Sequence, residues 1–341
     1  MELIYLGLLL LFVPLIAMTI GLSVAYYLIQ KKYLQFVGRI FQEKPLFVIP
    51  RGEPNPDAEE VRFTTSDGLT LQGCYLKTEK PRKGVILFGL EFGSNRWSCS
   101  SYCDWLLASG YDIFTYESRS QGDSDRQPNY EPLQWITQYE VDDCKAAIAY
   151  LKSRPDKDSK GIGLFAMSKG AAAGLFIASE DPFIRCICSD GVFASMTTMV
   201  PYMRQWISIY SDKVSLHPLI PSWFFQIIGY NAIRLSEQER SGGCHFKHLE
   251  PRLARLRQPW FMIHGALDGY IWPDMARNLF NLAKGPKLLW IVPGAKHNGG
   301  IHVAGDEYRT RVLQFFNHQL AGMEPAHNFP KIAVSSLATA R

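Results

Sequence analysis

Apolar residues are distributed along this chain in two regimes. From residue 3 to residue 29 they continue without a single charge over 27 positions. As a helix that run spans about 40 Å at about 1.5 Å per residue, more than the hydrocarbon core of a bilayer. No polar stripe makes it amphipathic. Past a stretch rich in proline and charge, residues 42–60, the pattern breaks into short β-rich runs separated by helical spacing. The runs are 61–65 and 69–76, joined by the turn Ser66-Asp67-Gly68, then 85–88, 112–116, 161–166, 186–190, 260–264 and 288–292. Most of the later runs are apolar throughout rather than alternating, which predicts parallel strands covered on both faces. Residues 101–109, 139–154 and 171–179 carry the spacing or the small residues of crossover helices. The alternation predicts an α/β fold.

The interval from Cys186 to Trp260 is far longer than a crossover requires. It holds Met199, Tyr202, Trp206, Trp223, Phe224 and Phe225, punctuated by Pro218, Pro221 and Gly229. It reads either as a small helical cap over the carboxyl edge of the sheet, where open α/β sheets bind ligands, or as additional packing helices. The expected organisation is a transmembrane anchor over 1–30, a juxtamembrane linker over 31–60 and an α/β domain over 61–320. The cap is inserted at about 196–250, and 321–341 forms a flexible tail.

The apolar start has three readings, of which a buried helix of a soluble core is disfavoured because no polar face runs along it. Ser23-Val24-Ala25 is the kind of small-residue site at which a leader is cleaved. The flanks favour a retained, single-pass anchor: only Glu2 precedes the run, whereas Lys31, Lys32, Arg39, Lys44 and Arg51 follow it against Glu43. The positive-inside rule then leaves the rest of the chain in the cytoplasm. Pro14 is tolerable inside a membrane helix.

Composition narrows the class. With 341 residues, 47% of them hydrophobic, the chain builds a sizeable core and is neither disordered nor fibrous. A net charge of +4 and 20% charged residues give no basic surface of the density that nucleic acid requires. Seven scattered cysteines are no disulfide framework and read as buried thiols. Cys99 and Cys103 share a helical face, and Cys186 and Cys188 one face of a strand. Cys244, His245 and His248 cluster as metal ligands do, but they lack a second Cys or a carboxylate pair at ligand spacing, so they read as a polar loop and no metal is expected.

The stretch Gly161-Ile-Gly-Leu-Phe-Ala166-Met-Ser168-Lys169-Gly170 is a strand, a tight turn and a small-residue helix start. That is the context of a nucleophile elbow, which holds a serine on a strained turn with small residues two before and two after it. Ser168 is also sound as a helix cap. A phosphate loop is excluded, since the order is Ser-Lys-Gly and not Gly-Lys-Ser. A serine hydroxyl needs a base that is itself held by a carboxylate. Asp268 follows the run 260–264 and His297 follows 288–292, so the three candidates each lie beyond the end of a predicted strand, in the order serine, acid, histidine. Asp190, Asp274 and His302 are alternatives for the supporting roles.

On these residues the sequence resembles the α/β-hydrolase superfamily, in particular its membrane-anchored serine hydrolases of the dienelactone-hydrolase-like and prolyl-oligopeptidase-like branch. The resemblance covers about residues 61–320. It rests on the leading hairpin, on Glu117-Ser-Arg119-Ser-Gln-Gly122-Asp-Ser124 in place of D-x-R-G-x-G-x-S, on Ser168, on Ser189-Asp-Gly-Val-Phe-Ala-Ser195, and on Asp268 and His297. It implies a mostly parallel sheet with flanking helices and acyl transfer without a cofactor. It also implies an oxyanion hole from the backbone N–H of Lys169 and that of Leu90 or Glu91. Two departures stand out: Ala166 where the motif has glycine, and Gly89-Leu90-Glu91-Phe92-Gly93 where the family has His-Gly-x-x-Gly. The expected activity is hydrolysis of a carboxylic ester or thioester, lipid-like and with a hydrophobic acyl group. An amidase or peptidase, or an impaired hydrolase fold serving as a binding or scaffold protein, is the alternative.

Overall fold

The eight β-rich runs all become strands. They are β1 (Glu59–Thr64), β2 (Thr70–Leu76), β3 (Gly84–Gly89), β4 (Tyr111–Tyr116), β5 (Ile162–Met167), β6 (Ile184–Asp190), β7 (Trp260–Gly265) and β8 (Lys287–Val292). The computed structural model describes residues 2–43, 49–210, 220–240 and 243–324. Among these the strands form one sheet in the order β1-β2-β4-β3-β5-β6-β7-β8. The pairs β1/β2 and β2/β4 are antiparallel, and every later pairing is parallel. This is the expected α/β architecture: a leading hairpin on a parallel sheet.

Helices occupy the crossovers: α1 (Glu2–Gln42) precedes the sheet, and α2 (Cys99–Leu107), α3 (Gln138–Ser153), α4 (Ser168–Ala178), α5 (Ser195–Tyr210), α6 (Ser222–Glu239), α7 (Glu250–Leu253), α8 (Pro273–Leu282) and α9 (Gly300–Gln319) follow in chain order. A capping box starts α3, with the Thr137 hydroxyl and the Glu140 carboxylate satisfying backbone donors reciprocally.

Successive residues of a strand feed two separate cores. Leu87 and Leu164 pack with Val141 and Ile148 of α3 and Ala171 and Leu175 of α4. Ile86, Phe88 and Phe165 pack with Tyr102 and Leu106 of α2 and with Val312, Phe315 and Phe316 of α9. A strand sandwiched in this way has no solvent face, which is why its run is apolar throughout. Each fully buried aromatic or aliphatic side chain contributes roughly 1.5–3 kcal/mol.

The chain divides into two compact units, Met1–Glu43 with Met203–Glu239, and Lys44–Tyr202 with Arg240–Arg341. The insertion anticipated at 196–250 is therefore split. Its central part associates with α1, and its two ends belong to the unit that carries the sheet. Residues 31–42, expected to begin the linker, continue α1 instead, because the far half of that helix packs along α6: Ser236 Oγ donates to the Gly38 carbonyl at 3.1 Å, and Gln42 Nε2 to Glu239 Oε2 at 2.5 Å. Residues 44–48 of the linker, 211–219 and 241–242 of the insertion and 325–341 of the tail lie outside the described residues.

Within α1, Phe12–Arg39 is long and apolar enough to cross a membrane, reaching a mean hydropathy of 2.0. The seven cysteines are buried thiols.

Candidate active site

The site begins where β5 gives way to α4. Ser168 takes φ +48°, a left-handed conformation that costs a residue with a side chain on the order of 1 kcal/mol or more. Close backbone approach around it explains why that conformation is kept. A Cβ on Gly170 would lie 2.4 Å from the Leu90 carbonyl oxygen, and one on Gly89 would lie 2.7 Å from the Ala166 Cβ. Gly89, Ala166 and Gly170 thus interlock, pressing the loop after β3 onto the first turn of α4. The alanine at 166 is accommodated because residue 89 has no side chain. As a result the backbone of Leu90 and Glu91 lies beside the start of α4, whose first N–H groups, that of Lys169 included, have no acceptor within the helix.

Beyond β7 and β8 the two remaining candidates sit on loops laced to each other. The Leu267 N–H donates to the Ala295 carbonyl at 2.8 Å and the Ala266 N–H to that of Val292 at 2.9 Å. A Cβ on Gly265 would come within 2.4 Å of the Lys296 carbonyl oxygen, so this contact needs glycine. His297 Nε2 lies 3.0 Å from Ser168 Oγ, and His297 Nδ1 lies 2.7 Å from Asp268 Oδ2. The other Asp268 oxygen accepts the backbone N–H groups of Tyr270 and Ile271, each at 2.9 Å. Burial opposes the charge on Asp268, but the hydrogen bond and charge of His297 and the Ile271 N–H hold its carboxyl below the usual range.

The fully buried His264 stands 3.5 Å from the same carboxylate and donates Nε2–H to the Ile271 carbonyl at 2.7 Å. Burial lowers its pKa, so it is a neutral prop for the Asp268 loop. No sequence motif marks it.

The Glu91 carboxylate, the departure in the loop after β3, is engaged on both oxygens. Tyr102 OH donates to Oε1 at 2.9 Å and Asn298 Nδ2 to Oε2 at 2.8 Å. It therefore links the loop after β3 to the residue that follows His297. Asn298 adopts φ +53°, which asparagine tolerates better than most residues. Neither Tyr102 nor Asn298 is identifiable from sequence, since Asn298 meets Glu91 across 207 positions. The Lys169 side chain is buried in an ion pair with Glu140 at 2.7 Å, leaving the backbone of Lys169 as its contribution to the elbow. A cavity of about 30 Å³ bordered by Leu90, Lys169, Gly170 and Glu140 holds water at most.

The alternatives remain apart from this arrangement. Asp190 is fully buried at the end of β6 and accepts from Tyr308 OH at 3.0 Å; burial raises its pKa to about 6. Asp274 and His302 are exposed. The segment 117–124 is structural. Glu117 accepts from Arg96 and from the Asp123 N–H, and the buried Arg119 is paired with Asp67 and Asp143. Cys244, His245 and His248 form no ligand set, and no group of three metal-binding side chains occurs among the described residues.

No family model matches the chain. It is 27% identical over 270 residues to the uncharacterized protein YfhR of Escherichia coli (strain K12), an alignment covering 77% of this chain and 82% of the relative. It is 30% identical over 135 residues to the thiohydrolase apmlB of Arthrinium phaeospermum, covering 38% and 41%. The solved structure of the Pyrococcus furiosus esterase Pf2001 superposes with a TM-score of 0.59 at 20% identity, covering 82% of this chain and 100% of that one. Strand order, the turn at Ser168 and the superposition on the Pyrococcus esterase give the chain the α/β-hydrolase fold.

Proposed function

We propose that the protein is a serine hydrolase, anchored in a membrane by α1, that cleaves a carboxylic ester or thioester with a hydrophobic acyl group. The observation carrying this reading is the chain of two hydrogen bonds from Ser168 Oγ through the imidazole of His297 to Asp268. Ser168 Oγ attacks the carbonyl carbon while His297 Nε2 takes its proton. Asp268 holds the imidazole in the tautomer with Nδ1–H and stabilises the imidazolium that forms. The Lys169 N–H and that of Leu90 or Glu91 hold the oxyanion, and the engaged Glu91 carboxylate leaves that role to the backbone. His297 returns the proton to the departing alcohol or thiol, and water then repeats the sequence on the acyl-enzyme. No cofactor enters these steps.

The similarity to a thiohydrolase and to an esterase supports esters and thioesters ahead of amides. The anchor supports an apolar acyl group, because such substrates concentrate in the bilayer beside the enzyme. The basic residues after the apolar span, Lys31, Lys32, Arg39, Lys44 and Arg51, support a cytoplasmic catalytic domain.

Labelling with a fluorophosphonate probe tests the reaction class. The wild type takes up the probe and Ser168→Ala does not, and hydrolysis across an acyl-chain series of esters and thioesters falls by several orders of magnitude in Ser168→Ala and His297→Ala. A folded wild type that neither labels nor turns over any ester, thioester or amide would leave the scaffold alternative.

A further inference from the structure

From Tyr26 onward α1 has a companion. The Tyr26 ring meets Phe224 edge-on at 5.9 Å between centroids, and Asn231 Nδ2 donates to the Tyr26 hydroxyl at 3.2 Å and to Gln30 Oε1 at 3.4 Å. Gly38 is held by Ser236, and Gln42 by Glu239. Partners advance together along both helices, so α6 runs in the same direction as α1, with its first turn level with Tyr26. Before that level Phe12, Ile16, Met18, Ile20, Leu22 and Val24 are each more than half exposed. The part of α1 ahead of Tyr26, residues 2–25, is about 36 Å long at about 1.5 Å per residue, close to the roughly 30 Å of a hydrocarbon core.

The outward face of α6 changes character in step with α1. Phe225, Ile228, Ala232, Ile233 and Ser236 are buried, whereas Trp223, Ile227, Tyr230 and Arg234 recur along one exposed stripe. Trp223, 59% exposed, lies level with Tyr26 and with Tyr27, itself 64% exposed. Tyr230 corresponds to the level of Lys32 and Tyr33, and Arg234 to that of Phe36, just short of Arg39. The progression from apolar to aromatic to basic matches the descent from acyl chains through the headgroup region into water, where tryptophan and tyrosine collect and Lys and Arg meet anionic lipid.

We infer that α6 is a second membrane-contacting element: the bilayer surface lies at the level of Tyr26, Tyr27 and Trp223, and the first two turns of α6 seat Trp223 and Ile227 among the lipid headgroups. The inference rests on the anchor reading above and adds a partner for the exposed stripe. That partner is a lipid surface, because the stripe is level with the end of an apolar span and continues into basic residues. Exposed tryptophan and isoleucine on a helix are otherwise costly in water.

The test uses the full-length protein reconstituted into phosphatidylcholine vesicles containing phosphatidylserine, with and without brominated acyl chains. The emission of Trp223 is obtained as the difference between wild type and Trp223→Phe. Bromines near the headgroup end of the chains quench this difference signal strongly, and bromines near the chain terminus quench it weakly. Resistance to carbonate extraction, measured on the same samples, reports whether α1 is inserted. An inserted protein whose Trp223 emission is indifferent to bromine overturns the inference while leaving the anchor intact, as it would if a second copy of the chain covered the stripe. A protein stripped by carbonate overturns the anchor reading and this inference together.

Discussion

Glu91 shows how one residue can be misread from its type alone. On the proposed mechanism a carboxylate beside the developing oxyanion would be unfavourable, yet both of its oxygens are occupied, by Tyr102 and by Asn298. Its role is to tie the loop after β3 to the loop carrying His297. Truncating it frees both loops, and small misplacements at a reacting centre cost up to about 10²-fold. Glu91→Ala is therefore expected to lower kcat for ester hydrolysis by up to about 10²-fold with KM little changed. Asn298→Asp, which opposes two carboxylates, should do the same. The double variant Glu91→Gln/Asn298→Asp restores a donor and an acceptor and recovers activity; steady-state kinetics of the three variants decide it.

Asp190 makes a prediction about stability. Its carboxyl titrates near 3.8 when unfolded and about 6 when folded, since burial penalises the charge more than Tyr308 and His297 relieve it. Between those values the folded state binds more protons than the unfolded one. Stability therefore falls as pH rises from about 4 to about 6, by an amount on the order of 3 kcal/mol. Asp190→Asn abolishes that decline, so melting profiles of wild type and variant diverge from pH 4 to pH 7; parallel profiles would refute it.

At the level of elements, the central strands were legible because a segment buried on both faces is apolar nearly throughout, as in β3, β5 and β7, whereas β1 alternates buried and exposed residues. The turn at Ser168 was legible because a strand, a serine and small neighbours stand there in contiguous order. Helices α8 and α9 escaped the sequence reading. In α9 the spacing is broken at Gly305, whose φ of +48° interrupts the helix. In α8 a short amphipathic face of Met275, Ala276 and Leu279 follows Pro273 at the helix start, a signal that the pattern did carry. The interlock of Gly89 with Ala166 gives an element-scale test. Gly89→Ala overpacks the junction of β3, β5 and α4 and should destabilise by roughly 1–3 kcal/mol with loss of turnover. Adding Ala166→Gly removes the opposing methyl and should return much of both, read by thermal melting and by probe labelling of Ser168.

For the whole molecule, the division into two units was the least legible feature. Composition marked 196–250 as an apolar insertion but held no signal that its central part would join α1, because the pairing of Tyr26 with Phe224 and of Gly38 with Ser236 spans about two hundred positions. Orientation, by contrast, is a matter of local charge. If Lys31 and Lys32 hold the following residues on the cytoplasmic side, Lys31→Glu with Lys32→Glu weakens the bias. Protease digestion of intact vesicles should then find a growing fraction of chains with the sheet on the opposite side, and an unchanged pattern would locate the determinant elsewhere.

What the sequence determined by itself is whatever depends on neighbours along the chain: the apolar span and its flanking charges, the doubly covered strands, and the serine on its turn with an acid and a histidine beyond later strands. Tertiary structure alone decided which distant groups meet. Hydrogen-bond distances from Ser168 to His297 and on to Asp268, the Glu91 bridge to Asn298, and the companionship of α1 and α6 are set by packing over long separations, where periodicity and local propensity carry no information.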